Sequence, residues 1–407
     1  ALRDCTASLH RAAAEPLWTP EAHPVLLRAA QSLGLAGLHD VAVSYWQGLF
    51  DAGRRILGDD HPGTLGARDG LAAAYLSAGR AADAAVANEQ GLADRERVLG
   101  ADHPDTLTAC GNFARACMAA GRVTDAVPLY ERALAGREQA LGPGDPATMT
   151  ARGDLASAYL GAGQPEQAIA ILQPVYGDRA AAMGADHPET LAACGDLASA
   201  LHSGGRLAEA IPLYERALAG REETQGATHP DTMSARANLA YAYRSADRTK
   251  HALPVYERTL ADRERALGPD HPETLASMAN LASAYHAAGK LKQALSLFAE
   301  VLYRREGRDG PGHPETMAAR GDLASAYHSS GRLAQAIPMY ERTLQDHERM
   351  MGQDHPGTLA ARANLASAYD TVGWHTAAVA LVQHTHRGEP PALDLGGAAG
   401  EQDAGEH

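Results

Sequence analysis

Seven histidines recur in step along the chain, His61, His103, His187, His229, His271, His313 and His355, each followed by proline. Asp145-Pro146 fills the one remaining slot, and 42 residues separate each slot from the next. Imidazole is a common zinc ligand, so a histidine column first suggests a metal site. The spacing defeats it: zinc holds its ligands at about 2 Å, whereas stacked helical units stand about 8–10 Å apart or more. One histidine per unit cannot converge on a single ion, and the column reads instead as fixing the turn into the helix that follows. Cys5, Cys110, Cys117 and Cys194 show no CxxC spacing and read as buried, reduced thiols. No GxSxG or HExxH occurs, and His347-Glu348 lacks its second histidine. No GxxxxGK[ST] occurs either; Gly289-Lys290 lacks both the earlier glycine and the following hydroxyl that would cradle phosphates and magnesium. The expectation is no catalytic residue, no metal, no cofactor and no nucleotide hydrolysis.

The elements around these residues keep the same period. Thr64, Thr106, Thr148, Thr190, Thr232, Thr274, Thr316 and Thr358 stand three residues after each head position, and a glycine closes each preceding unit, from Gly58 to Gly352. Ala84, Ala126, Ala168, Ala210, Ala252, Ala294, Ala336 and Ala378 form another column, and Tyr75, Tyr159, Tyr243, Tyr285, Tyr327 and Tyr369 a further one. In the unit from His271, proline in the first turn and Glu273 beside it mark a helix start. Leu275, Met278, Leu281, Ala282 and Tyr285 then make one apolar stripe that Gly289 ends. A second helix carries Leu291, Ala294, Leu295, Phe298 and Leu302 on one side. Alanine at 294 marks the closest approach of the two helices. Pro212 and its equivalents 128, 254 and 338 place the second-helix start only about a turn earlier, near Leu207. One such pair leaves an apolar face open to water, and only the next pair covers it.

The predicted fold is therefore all-α, a right-handed superhelical α-solenoid of antiparallel helix pairs. Residues 1–20 form an N-terminal segment, weakly helical over Leu2 to Ala14. The solenoid runs over 21–388 as a degenerate unit at 21–60, then 61–102, 103–144, 145–186, 187–228, 229–270, 271–312, 313–354 and 355–388. In the degenerate unit His23-Pro24 stands four residues late, while Gly37, Ala42 and Trp46 return to register. The tail at 389–407, acidic and rich in glycine and proline, reads as disordered. With 36 basic against 50 acidic residues, the formal charge of −14 opposes nucleic-acid binding. No run of 18 apolar residues offers a membrane span, and the N-terminus has no secretory pattern, so a cytoplasmic location is expected. The chain opens on alanine rather than methionine, as a piece of a longer chain would.

The pattern NLAxAYxxxGR…A…LYERxL, as in Asn238 to Tyr243 and Ala210 to Leu218, resembles the tetratricopeptide repeat over about residues 21–386. The 42-residue period and the LGxDHPxTL junction at Leu267 to Leu275 are similar to kinesin light chains. The stretch LWTPEAHPVLLRAAQSLGLAGLHDVAVSYW resembles the point where such arrays join the nucleotide switch of actinobacterial STAND (NB-ARC) ATPases. That resemblance implies a sensor that holds a partner and gates an NTPase domain upstream in the same chain.

The tetratricopeptide resemblance further implies a concave wall built from the first helix of each unit. There an asparagine before the column leucine bonds the backbone of an extended peptide. That place holds Asn112, Asp154, Asp196, Asn238, Asn280, Asp322 and Asn364, with Gly70 in the first full unit. An amide both donates and accepts, as a peptide backbone requires, whereas an ionised aspartate only accepts. The alternative for these residues is structural: tying helix to helix, the aspartates pairing with Arg152 and Arg320 or their equivalents Arg68, Arg236 and Arg362. Three residues on lie Arg115, Ser157, Ser199, Tyr241, Ser283, Ser325 and Ser367, and a turn beyond them His202, Arg244, His286 and His328. Facing inward, Arg115, Arg244 and the three histidines would line a partly cationic channel suited to an acidic peptide; facing out, they are a solvated helix face. The expectation is thus a protein- or peptide-binding module of a signalling protein. The alternatives are a free-standing adaptor or assembly scaffold and, more remotely, a subunit of an enzyme.

Overall fold

A computed structural model describes residues 24–353 and 355–383, so the expectations for 1–20 and for the 389–407 tail lie outside the described residues. Within them the chain is all-α, with eighteen helices and no strand. The first helices of successive pairs are α1 (Pro24–Leu35), α3 (Pro62–Ser77), α5 (Pro104–Ala119), α7 (Pro146–Gly161), α9 (Pro188–Ser203), α11 (Pro230–Ser245), α13 (Pro272–Ala287), α15 (Pro314–Ser329) and α17 (Pro356–Thr371). The second helices are α2 (His39–Ile56), α4 (Ala81–Leu99), α6 (Val123–Leu141), α8 (Pro165–Met183), α10 (Leu207–Gln225), α12 (Thr249–Leu267), α14 (Leu291–Asp309), α16 (Leu333–Met351) and α18 (His375–Gln383). The chain divides into two compact units, Ala1–Leu213 and Tyr214–His407, with the division inside α10. Within each unit every helix packs on its chain neighbours, and short connections make the packed helices antiparallel, as in an α-solenoid. No helix among the described residues is long and apolar enough to cross a membrane.

The head histidines close the helix starts. The Nδ1 atoms of His61, His187 and His271 accept from the backbone amides of Gly63, Glu189 and Glu273 at 3.1–3.3 Å, and Asp145 Oδ1 accepts from Ala147 at 2.8 Å. Each head residue is an N-cap in extended backbone conformation with proline at the first helical position. Accepting through Nδ1 places the ring proton on Nε2. The ends of the first helices are equally regular: Lys290 donates to the Tyr285 carbonyl at 2.8 Å and Gly289 to that of His286 at 3.0 Å, a Schellman arrangement that recurs in each full repeat. It requires a left-handed residue, and Asp247 (φ 57°) takes that place where the other repeats use glycine.

Packing follows the sequence columns. Ala126, Ala252, Ala294 and Ala336 are fully buried at the helix crossings. In α14 the buried stripe turns slightly from the expected one, with Val301 buried and Leu302 half-buried. Each apolar cluster draws on neighbouring pairs, so no repeat closes its core alone. The tyrosine column adds ties between repeats: Tyr159, Tyr285 and Tyr369 donate to Glu131, Glu257 and Glu341 of the preceding second helix at 2.6, 2.7 and 2.6 Å.

A buried ionic seam was not anticipated. Arg236, 1% exposed, donates to Asp262 at 2.6 Å, to Glu222 at 2.7 Å and to the Ala227 carbonyl at 3.1 Å. Arg320 repeats this with Asp346 at 2.8 Å and Glu306 at 3.5 Å, Arg68 pairs with Asp94, and Arg152 and Arg362 bond Glu138 and Glu348, each at 2.7 Å. The arginines proposed to hold Asp154, Asp196 and Asp322 therefore bond carboxylates of the second helices. At two places the sequence varies these positions together. Where the arginine becomes Cys110 or Cys194, the aspartate 26 residues on becomes Gly136 or Gly220, and the two thiols are buried.

Candidate functional site

On the first helices, the amide-or-carboxylate column, the residue three further on and the one a turn beyond share one stripe, as 3.6-residue periodicity dictates. In the first unit this stripe carries Asn112, Arg115, Asp154, Ser157, Asp196, Ser199 and His202. In the second it carries Asn238, Tyr241, Arg244, Asn280, Ser283, His286, Asp322, Ser325, His328, Asn364 and Ser367. All are exposed or half-buried, while the leucine or phenylalanine beside each amide or carboxylate is buried. Among the described residues, no group of three or more His, Cys, Asp or Glu is placed to hold a metal ion.

In the first unit the stripe is uneven. Between α1, α2 and α3 lies a cavity of about 810 Å³ walled by Leu27, Leu35, Trp46, Gly70 and Ala73, with Asp69 and Asn112 at its edge. Gly70 is obligatory there, because a Cβ would overlap the Trp46 ring. The Asp69 carboxyl is pushed above its usual range by burial, against the pull of Arg95, which donates to it. One repeat on, Arg115 donates to Asn112 at 2.6 Å, and a cleft of about 310 Å³ gathers Asn112, Arg115, Tyr130, Arg137 and Asp154. Although open to solvent, Asp154 is crowded by protein, and this desolvation raises its carboxyl against the opposing pull of Arg115 and Arg137. Burial, with the Asp154 charge adding to it, pushes the Tyr130 phenol up to about 12, so it stays a proton donor.

In the second unit several stripe residues engage their neighbours. The Arg244 guanidinium lies 4.9 Å from the centre of the Tyr241 ring. His286 Nε2 and Ser329 Oγ are 2.5 Å apart, and His328 Nε2 and Thr371 Oγ1 3.1 Å, each link reaching into the next repeat. Asn238, Asn280, Asp322 and Asn364 keep solvent access, with Ser283, Ser325 and Ser367 one turn away. The Asp322 carboxyl is raised by desolvation despite Arg305. Reasoning along the first helix alone missed the second-helix residues beneath this face: Trp46, Tyr130, Tyr256 and Tyr340, four residues after the column alanine, and Arg137. Their signal was present in the tyrosine of the LYERxL pattern.

Tetratricopeptide-repeat family models match residues 64–105 and 108–176, and match 189–388 through overlapping segments. No curated protein matches the chain. Among solved structures, the nearly identical TPR-like repeats of a chain described as a kinesin light chain from Podospora anserina are 28% identical. They cover 51% of this chain and 99% of that one, with a TM-score of 0.47. The apo form of RapI is 10% identical over 70% of this chain and 98% of that one, with a TM-score of 0.51. A STAND protein with a tetratricopeptide repeat sensor, PH0952 from Pyrococcus horikoshii, is 14% identical with a TM-score of 0.50; the match covers 89% of this chain and 52% of that protein. With matched segments spanning well over half of its residues, the chain belongs to the tetratricopeptide-repeat family.

Proposed function

We propose that the chain is a non-catalytic module that captures a protein or peptide segment in extended form along the face of its first helices. The observation that carries this reading is the accessible polar stripe. Beside packed leucines, Asp154, Asp196, Asn280, Asp322 and Asn364 are each followed three residues on by a serine, which leaves both hydrogen-bonding capacity and room for a backbone. Arg115, Arg244 and the histidines favour an acidic segment. The sequence resemblance around residues 17–46 supports a place as the ligand-sensing or partner-recruiting part of a STAND-type signalling protein, with an NTPase domain upstream and a cytoplasmic setting.

The test is replacement of Asn238, Asn280 and Asn364 together by alanine, with the partner captured first by pull-down from the source cells. Affinity should fall about tenfold or more while the helical signal and the melting transition persist, since each lost backbone bond is worth about 1 kcal/mol. Unaltered affinity would remove the amide ladder from the account.

A further inference from the structure

A second arginine column runs along the end of the second helices. Arg179, Arg221, Arg263 and Arg305 each donate to the backbone carbonyl of the residue two places after the next head position, at 3.3, 3.2, 3.3 and 2.7 Å. Those residues are Glu189, Asp231, Glu273 and Glu315, and three of the four carboxylates also pair with the arginine. Arg95, the first of the column, bonds Asp69. Arg137 differs from all of these. The residue offered to it is Ala147, which has no carboxylate, and among the described residues Arg137 makes no hydrogen bond or ion pair.

Arg137 instead borders the 310 Å³ cleft, where its Nη2 lies 4.0 Å from the place a Cβ on Gly111 would occupy. Across the cleft stands Arg115, the only arginine in a column otherwise filled by alanine, serine and tyrosine. Two guanidiniums, a protonated phenol and an amide therefore converge on one small volume. Asp154 is the one carboxylate facing them, so a positive charge is left over.

We propose that this cleft between α5, α6 and α7 is an oxyanion subsite, taking a carboxylate or phosphate group, with Arg137 as its principal donor and Arg115 and Tyr130 assisting. Planar guanidinium groups match the oxygens of both anions, and a part-desolvated cleft strengthens the bond. The idea that a bound peptide carries the anion rests on the groove reading above, whereas the anion site itself does not.

Thermal-shift titrations of the whole chain with inorganic phosphate and with glutarate test it, comparing the wild type with Arg137→Gln and Ala147→Glu. The second variant restores the carboxylate that the other repeats place opposite this column, so it should fold at least as well while occupying Arg137 internally. Each anion that fits should raise the wild-type melting temperature, and both variants should bind it about tenfold to a hundredfold more weakly. The two titrations show whether carboxylate or phosphate is preferred. Equal stabilisation of all three proteins would overturn the subsite, and Ala147→Glu decides the matter if Arg137→Gln does not fold. The triple asparagine variant should keep the full anion response: unaltered peptide capture by that variant would sink the groove reading alone, whereas equal anion responses of the wild type, Arg137→Gln and Ala147→Glu would sink the subsite alone.

Discussion

The seam between helices and the open face of the first helices lie on the same elements, yet they obey different rules. Along the seam, partners change together: Arg68, Arg236 and Arg320 stand with Asp94, Asp262 and Asp346, and Cys110 and Cys194 stand with Gly136 and Gly220. A buried guanidinium without any carboxylate, or the reverse, is strongly destabilising, and Arg362, which has Gly388 in the aspartate slot, keeps Glu348 as its partner. On the open face, Asn and Asp alternate at one position, and Arg, Ser, Tyr and Ala at another, and only Gly70, which faces Trp46, is tied to a change in the packing beneath. One region specifies the stack; the other is left free to specify what the stack holds.

That contrast can be broken most sharply at Arg236. Arg236→Met, which copies Met278 of the next repeat, should cost about 3 kcal/mol in urea denaturation because Asp262 and Glu222 lose their buried partner. Adding Asp262→Ala should recover part of the loss. Gly70→Asn would install the ladder residue where the first full repeat lacks it, but against the Trp46 ring. A loss of about 1–3 kcal/mol, with the neighbouring cavity filled, is expected, whereas Asn280→Gly should alter stability by no more than about 1 kcal/mol, the penalty of a helical glycine.

The tyrosine ties give a gentler test. Tyr159, Tyr243 and Tyr285 are pushed up to about 12, the first by its hydrogen bond to Glu131, the other two chiefly by burial. Because the folded values exceed the unfolded one, this contribution is complete below about pH 10 and fades as pH rises towards 12. Replacing all three by phenylalanine should flatten the alkaline slope of stability, and a slope unaltered by the replacement would show that the ties contribute nothing. The smallest effect is expected at Asp247→Gly, a gain of about 0.5 kcal/mol from relieving a left-handed aspartate, visible as a slightly higher urea midpoint.

The helix pairs, their starts and their stops were legible because each depends on neighbours in sequence. His271-Pro272 caps two residues ahead, Gly289 turns the chain where it stands, and Ala294 marks a crossing. The first-helix stripe was legible for the same reason, since Asn112 and Arg115 are neighbours on one helix. The seam was not, because its partners lie 14 and 26 residues apart on other helices, and inspecting the arginine's own helix pointed to Asp154 and Asp322 instead. Arg137 escaped notice too. Its significance lies in the carboxylate that Ala147 lacks, which becomes visible only once the partners of Arg179 and Arg263 are known.

The 26-residue tie of Arg236 to Asp262 stays inside one repeat, and the links between repeats, from the 10 residues of Arg305–Glu315 to the 43 of His328–Thr371, are all close to or shorter than one period. Gain or loss of a whole 42-residue block would therefore carry most bonded partners along together and leave few ends dangling. A gene encoding such a chain can lengthen or shorten its product by unequal crossing-over without first redesigning an interior, and so can try new arrangements of recognition surface at little risk to folding.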